Sequence, residues 1–273
     1  MRLRVALPVI LLLLLAASNL AAGDSADPTR VRLANVARLA ALTQRDFDAF
    51  SSEAESGDRE AQFWLGSAYV QGRLVQKDYE QAKRWFLKSA EEGYTPAERA
   101  LGLLYWHSDP AKAAMWLQQA AQKGDAEAQF DLGNAYEQGL LGTINYREVL
   151  NWFQKSAKQG HPEAQASLGQ MYEDGEGVKQ NYAMAAKWYR KAAEHVPDLG
   201  GAGQGRNDLG LLYMQGRGVR RDYVLADMWF AIAGVEENLK EVQSKMTSAQ
   251  ILKAQQMAEE WKQRHPSRDL ALP

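Results

Sequence analysis

The chain has 273 residues, contains no cysteine and carries a formal net charge of −2 at pH 7. The absence of cysteine excludes disulfide bonds and thiolate chemistry, and the mildly acidic balance is opposite to the basic surface expected of a protein that binds nucleic acid. Stability must therefore come from packing, for which this length is sufficient if the parts of the chain bury their apolar faces against one another.

The N-terminus has the pattern of a secretory signal peptide over residues 1–23. Two arginines precede an apolar run that ends at Ala17, and small residues follow it. The run is shorter than the roughly 20 residues that a membrane-spanning helix needs. We expect cleavage near Ala22 or Gly23 and therefore a periplasmic or secreted protein without an integral membrane span. The alternative is an uncleaved anchor in the inner membrane.

Residues 24–57 are predicted to form a short polar leader and N-terminal capping helices. Apolar residues at helical spacing indicate a first helix over residues 29–41, and Thr43 is placed to cap a second one. The end of this second helix resembles the end of the repeats that follow it. The segment is therefore expected to cover the N-terminal end of a stack of repeats.

Five copies of one unit occupy residues 58–234. The predicted copies are 58–93, 94–124, 125–160, 161–201 and 202–234. We count positions within a copy as offsets from a small residue near its start, which is Ala61, Ala97, Ala128, Ala164 or Gly205. Every copy has glycine at offset 5, tyrosine at offset 8 and, allowing for one deletion, tryptophan at offset 24. Periods of 31 to 41 residues are typical of solenoids.

Each copy is predicted to form two helices joined by a turn, because its apolar residues recur three and four positions apart. The second helix opens in every copy on a short side chain that can cap it: Asp78, Asp109, Asn145, Asn181 and Asp222. The glycine at offset 5 lies inside the first helix, where it costs about 1 kcal/mol relative to alanine. We expect it to permit close packing that places the tyrosine and tryptophan of a copy in one buried layer.

The pattern A-x-x-x-L-G-x-x-Y-x-x-G-x-G-V-x-x-D-Y-x-x-A-x-x-W resembles the Sel-one-like repeat, a relative of the tetratricopeptide repeat. The match covers Ala61 to Gly234 and departs most in the second copy, whose loop is shortened to residues 106–109. The resemblance implies an all-α fold, namely a right-handed α-solenoid of helix-turn-helix repeats with N- and C-terminal capping helices. Such repeats serve as scaffolds for other proteins, often in bacterial envelopes and in signalling.

Residues 235–265 are predicted to form C-terminal capping helices, and residues 266–273 a tail. An apolar stripe follows the last repeat, and Thr247 with Gln250 has the pattern of a capping box at the start of a helix that ends near His265.

Signals of catalysis are weak. The four histidines, His107, His161, His195 and His265, have no metal-binding spacing, and His161 is interpreted as a helix-start residue. The glycine-rich run from Gly200 to Gly205 fits neither a dinucleotide nor a Walker motif and is interpreted as a flexible linker. We expect no catalytic residues, no cofactor and no metal.

The sequence favours a non-enzymatic scaffold or adaptor of the bacterial cell envelope, expected to be monomeric, that binds another protein in the concave groove of the superhelix. The partner would be an envelope or signalling component. The alternatives are an envelope hydrolase and a peptidoglycan- or carbohydrate-binding module.

By analogy with the tetratricopeptide fold, the groove is lined by the first helix of each copy at offsets −1, 2, 6, 9 and 10. These columns vary among copies, and together they combine aromatic, arginine, amide and acidic side chains, as binding hot spots do. The predicted partner-binding residues are Phe63, Ser67, Gln71, Arg99, Trp106, His107, Phe130, Asn134, Glu137, Gln138, Gln170, Glu173, Asp174, Asn207, Met214 and Gln215.

Overall fold

The computed structural model describes residues 43–72, 74–196 and 200–266. The predicted signal peptide, leader and first helix lie outside these residues, as does nearly all of the predicted tail. Within the described ranges the regular elements are α-helices that pack consecutively, so the predicted all-α solenoid of paired helices is confirmed. No helix of the described part is both long enough and apolar enough to span a membrane.

The chain divides at Asn145 into two compact units. The described residues of the first unit form six helices: α1 (Gln44–Glu55), α2 (Arg59–Gln71), α3 (Tyr79–Glu91), α4 (Thr95–Tyr105), α5 (Pro110–Gln122) and α6 (Ala126–Glu137). Each helix from α1 to α5 packs against the next one in the chain.

The described residues of the second unit form seven helices: α7 (Tyr146–Lys158), α8 (Pro162–Asp174), α9 (Tyr182–Ala193), α10 (Gly201–Gln215), α11 (Tyr223–Ala233), α12 (Glu236–Gln243) and α13 (Ser248–Arg264). Consecutive helices again pack together from α7 to α12. In addition, α8 packs against α10, and α13 packs against α11.

Helix starts follow the predicted caps. The Asp78 carboxylate accepts hydrogen bonds from the backbone amides of Glu80 and Gln81 at the start of α3, and Asp109, Asn181 and Asp222 cap α5, α9 and α11 in the same way. The predicted role of His161 is also confirmed, because its Nδ1 accepts the amide of Ala164 at the start of α8. These side chains satisfy amides that a helix leaves without partners, and so they fix where each helix begins.

The glycine at offset 5 does allow close packing, but its neighbour is the residue that follows the predicted tryptophan. A Cβ on Gly66 would stand 2.7 Å from the Phe86 ring, and one on Gly210 would stand 2.6 Å from the Phe230 ring. The residues in this column, Phe86, Leu117, Phe153, Tyr189 and Phe230, are all at most 1% exposed. The predicted buried Tyr–Trp layer is therefore wrong, because all five tyrosines at offset 8 and three of the five tryptophans are only partly buried.

Three of the five tryptophans lie at the margin of the core, and the other two, Trp152 and Trp229, are 7% exposed. Trp85, Trp116 and Trp188 are only partly buried. In three copies a lysine three residues later lies over the indole, as for Lys155 and Trp152 at 3.8 Å from the ring centroid. Residues i and i+3 share one side of a helix, so a tryptophan on the edge of the apolar stripe meets a solvated cation there.

The glycine-rich run is not a linker, which corrects the prediction. Helix α10 begins at Gly201, so most of the run is helical. A Cβ on Gly201 would collide with the backbone of Glu163 in α8. The small residues are therefore explained by close approach of two helices, a cause that sequence alone does not distinguish from flexibility.

The capping helices have the predicted chemistry. Thr43 and Asp46 form a capping box at the start of α1, and Thr247 and Gln250 form one at the start of α13. Trp261 of α13 meets Trp229 edge to face, with ring centroids 6.1 Å apart. Helix α13 thus buries its apolar side on the second helix of the last copy.

Candidate functional site

The sixteen predicted partner-binding residues fall into three groups by exposure. Four are buried in the interior: Phe63, Ser67, Arg99 and Met214. Seven are partly exposed: Gln71, Trp106, Phe130, Asn134, Glu137, Glu173 and Asn207. Five are exposed: His107, Gln138, Gln170, Asp174 and Gln215. The four buried residues cannot present their side chains to a partner, so their predicted assignment to the binding face is wrong.

Phe63 and Ser67 of α2 belong to the core of the first unit. The Phe63 ring lies 5.6 Å from the rings of both Phe86 and Tyr94, and it is fully buried. The Ser67 hydroxyl donates a hydrogen bond to the Phe63 carbonyl at 2.9 Å. Offset 2 therefore points toward the next copy of the repeat and not toward solvent.

Arg99 occupies the same offset in the second copy and forms a buried ion cluster. Its Nε lies 2.6 Å from Asp131 Oδ2, and its Nη2 lies 3.1 Å from Glu127 Oε2, both on α6. Burial alone would lower the pKa of Arg99, but these two carboxylates outweigh it and raise the pKa. The same burial raises the pKa of nearby Asp125 to about 6. Arg99 thus joins two neighbouring copies.

Met214 of α10 was assigned to the surface and instead packs beneath it. It forms an apolar cluster with Ala226, Phe230 and Val242 and is 8% exposed. The cause is α12. In the preceding copies this side of the repeat faces the next repeat, whereas in the last copy it is covered by α12. Variation in a column therefore reflected different packing partners at four of the sixteen positions and exposure at the others.

In the second unit, α8 and α10 bring acidic side chains together on an accessible face. Glu173 accepts a hydrogen bond from the Tyr189 hydroxyl at 2.9 Å. Asp208 Oδ1 accepts one from the side-chain Nδ2 of Asn207 at 3.0 Å, and Asn207 Oδ1 accepts one from the side-chain Nδ2 of Asn238 at 2.7 Å. The Glu173 carboxylate is therefore positioned by Tyr189 of α9, and the Asp208 carboxylate is positioned through Asn207 by Asn238 of α12.

The surroundings of Asp208 and Tyr189 at this face disfavour the ionised forms of both side chains. Burial, with a smaller contribution from the neighbouring Glu173 and Asp174 carboxylates, raises the pKa of the Asp208 carboxyl to about 6, although hydrogen bonds from Asn207 and Gln204 lower it. Burial also raises the pKa of the Tyr189 hydroxyl, again with help from Asp208 and Glu173. Asp208, Tyr189 and Asn238 were not among the residues predicted from the sequence to form a site. The one available signal was that Asp208 and Asp131 share offset 3.

The comparisons with known proteins decide the family. The model of the Sel1 repeat matches residues 59–94, 95–125, 126–161, 162–195 and 204–234. The chain belongs to the Sel1 repeat family. Sel1 repeat proteins generally mediate protein–protein interactions, and the Sel1 repeat is a non-catalytic scaffold fold.

Solved Sel1-type structures are similar over most of the chain. A protective antigen of uropathogenic Escherichia coli strains that displays an SLR fold has a TM-score of 0.74 and 29% identity, over 87% of this chain and 56% of that one. A Sel1 repeat protein from Oxalobacter formigenes has a TM-score of 0.65 and 24% identity, over 85% and 76%. An uncharacterized protein of Neisseria meningitidis serogroup B is 35% identical over 101 residues, and the chain spans 22% of that protein's length.

A pocket and the grouping of potential metal ligands bear on catalysis in the described repeats. One shallow pocket of about 490 Å³ adjoins the first loop and is lined by Tyr69, Val75, Gln76, Lys77, Asp78 and Gln81. Its carboxylate belongs to Asp78, which is engaged in capping α3. Among the described residues, no three His, Asp or Glu side chains are grouped so that they could hold a metal ion.

Proposed function

We propose that this Sel1 repeat protein is a scaffold of the bacterial cell envelope that binds a protein partner on the accessible faces of its first helices. One observation carries the proposal. The leucine at offset 4 and the glycine at offset 5 are constant and buried in every copy, whereas the accessible first-helix positions hold different amide, acidic and aromatic side chains in each copy. A solenoid can vary such positions without disturbing its fold, which suits them to recognition of a partner.

The accessible face differs between the two units. In the first unit it carries Phe130, Asn134 and Glu137 of α6, which are partly exposed. In the second unit it carries polar side chains of α8 and α10, such as Gln170 and Gln215. An aromatic residue among polar ones is the composition of an interface with a few strong contacts, and it is a weaker basis for a carbohydrate-binding or hydrolytic site.

Photo-crosslinking tests this placement. A benzophenone amino acid at Asn134 or at Gln170 on the first helices should capture one and the same protein in the native bacterium. The matched positions on second helices are Met115 and Lys187, which are also exposed. Purified partner should then bind the protein in solution, and substitution of Phe130 with alanine should weaken that binding. Capture from Met115 and Lys187 alone would place the site on the second helices.

The envelope location rests on the N-terminal pattern of two arginines, an apolar run and small residues. The similar Escherichia coli protein is a protective antigen, a description that suits a protein located outside the cytoplasm. N-terminal sequencing of the protein from a periplasmic fraction should find Gly23 or Asp24 as the first residue. An intact N-terminus in the membrane fraction would favour the anchored alternative, and a cytoplasmic protein would contradict the proposal.

A further inference from the structure

We infer that the surface around Tyr79 is a second docking site, which receives a turn of a protein partner in which an acidic residue precedes a glycine. We call it the Tyr79 surface and define it as Tyr79, at the start of α3, with Lys77 and the pocket that Lys77 lines. Both side chains belong to the loop and second helix of the first copy, whereas the proposed function uses first helices. The inference therefore goes beyond that function.

The tyrosine at offset 18 is covered by the chain itself in the second unit. The Tyr146 hydroxyl donates a hydrogen bond to Glu176 Oε1 of the following loop at 3.2 Å, and a Cβ on Gly177 would stand 2.8 Å from the Tyr146 carbonyl oxygen. One copy later, the Arg217 guanidinium lies 5.4 Å from the centroid of the Tyr182 ring, and the next residue, a glycine, leaves no room for a Cβ against the Tyr182 backbone. In both cases a turn with glycine at offset 13 packs on the tyrosine of the preceding copy.

The first unit lacks the loop that would cover Tyr79 in this way. In the fourth copy the loop closes on a hydrogen bond from the Asn181 amide to the Tyr172 carbonyl at 2.7 Å and encloses eight residues. The second copy makes the same bond from Asp109 to Tyr105 at 2.9 Å, but it encloses three residues, none of which is glycine. Tyr79 is accordingly 38% exposed, whereas its two covered counterparts are partly buried.

The charge beside Tyr79 favours an acidic turn. The Lys77 ammonium lies 4.9 Å from the centroid of the Tyr79 ring, so a second cation placed there in the manner of Arg217 would be repelled. Among the described residues, no carboxylate pairs with Lys77 and no side chain accepts the Tyr79 hydroxyl. A carboxylate placed as Glu176 is would accept that hydroxyl and pair with the ammonium, and charge-assisted hydrogen bonds are stronger than neutral ones.

The test uses a fluorescein-labelled cyclic peptide that reproduces residues 173–180, the loop of the fourth copy. We expect it to bind the mature protein, as measured by fluorescence polarisation. Glutamine in place of Glu176 in the peptide, or alanine in place of Gly177, should weaken binding at least fivefold. In the protein, Tyr79→Ala and Lys77→Gln should each weaken binding of the unchanged peptide at least fivefold, without lowering the melting temperature, because both side chains are exposed.

The matched controls are Leu252→Ala and Lys253→Gln, which change exposed side chains of α13. Each should alter binding of the peptide by less than twofold. Equal losses in Lys77→Gln and Lys253→Gln would show general attraction between charges and overturn the inference. Equal binding of the three peptides, or no binding at millimolar concentration, would overturn it too.

A grafted variant tests the same surface without removing any of its side chains. In this variant residues 175–180 replace Ser108, which gives the second copy a loop of full length. The new loop should cover Tyr79 and reduce binding of the peptide at least tenfold. The same graft with alanine in the position of Gly177 should not seat on the tyrosine and should retain binding. Undiminished binding by the first graft would place the peptide elsewhere and overturn the inference.

The peptide experiment is independent of the crosslinks from Asn134 and Gln170. Failure of the peptide to bind overturns the Tyr79 surface and leaves the proposed function standing, and failure of those crosslinks does the reverse. In the native bacterium, a benzophenone amino acid in place of Tyr79 should capture a different protein through a segment that contains an acidic residue before glycine. Capture of a second copy of this chain, or of its own N-terminal leader, would overturn the assignment to a partner.

Discussion

The junction between α4 and α6 and the junction between α8 and α10 use the same repeat frame for different purposes. In the first, Arg99 reaches across to Asp131 and Glu127 and is fully buried. In the second, Ala166 permits direct packing, and the acids near Asp208 remain accessible and without a chain-supplied guanidinium at that position. The residues that are constant among copies therefore determine how the two helices of a copy pack. The variable residues determine whether the acidic side chains at a junction are buried in ion pairs, as at Arg99, or remain accessible to solvent, as at Asp208.

The largest expected effect comes from opening the closed junction. Arg99→Met should destabilise the protein by about 3–5 kcal/mol, because it leaves Asp131 and Glu127 buried without their cation. Urea unfolding at pH 7.5 measures the loss. The triple variant Arg99→Met, Glu127→Gln, Asp131→Asn should recover most of it. A single variant as stable as the wild type would show that the ion cluster does not hold the copies together.

A smaller effect of opposite sign is expected at the accessible junction. Asp208→Asn should stabilise the protein by about 1–3 kcal/mol at pH 7.5, since a folded pKa of about 6 lies above the ordinary value of 3.8. Because the carboxyl pKa is higher in the folded state, the native protein binds more protons than the unfolded chain between about pH 4 and pH 6. The stability associated with Asp208 is therefore complete below about pH 4 and is lost as the pH rises through 6.

The difference between Asp208→Asn and the wild type should consequently vanish as the pH falls from 6 to 4, which chemical unfolding at several pH values can follow. Asp131→Asn provides the contrast, because removing the partner of Arg99 should destabilise at pH 7.5. If Asp208→Asn and Asp131→Asn both destabilise the protein, the carboxylate at the accessible junction is not unfavourable, and the two junctions do not differ in the sign of their effect on stability.

The smallest effect concerns the loops of the two units. Leu74 has a φ of 66°, whereas the corresponding loop positions of the second unit, Gly177 and Gly218, are glycines at 68°. A left-handed conformation costs an L-residue about 1–2 kcal/mol, and glycine adds backbone entropy to the unfolded chain. Leu74→Gly should therefore stabilise by only about 0.5–1 kcal/mol in thermal melts. Leu74→Ala retains the strain and should not stabilise; an equal gain in both variants would rule out backbone strain as the cause.

The fold could be predicted from the sequence because its determinants are local or strictly periodic. Helix caps such as Asp78 act within three residues, and the glycine that recurs at offset 5 indicates close helix packing in each copy. The error at the tryptophans had a local cause too. The core-facing position is one residue later, and aromatic side chains occupy both neighbouring positions in most copies, so hydropathy did not separate them.

The accessible site was harder to predict. A residue position can vary among the copies for two physical reasons, namely that its packing partner differs or that it is exposed to solvent. Phe63 and Arg99 vary because each matches a different partner in the following copy, whereas Gln170 varies at an exposed position. Separating these sources requires knowledge of which offsets face each other between copies. The structure supplies it: offset 2 faces the next copy, and Asp208 became visible as a candidate only through its likeness to Asp131.

Hydrogen bonds between copies join residues that are close in sequence. Lys123 donates to the Gly93 carbonyl 30 residues away, the Tyr146 hydroxyl donates to Glu176 at the same separation, and Arg99 pairs with Asp131 at a separation of 32. Chains dominated by such short separations close small loops when they fold, and they fold fast for their length. Folding can accordingly nucleate in either unit and spread from copy to copy, so hydrogen exchange should reveal successive local openings rather than a single cooperative event.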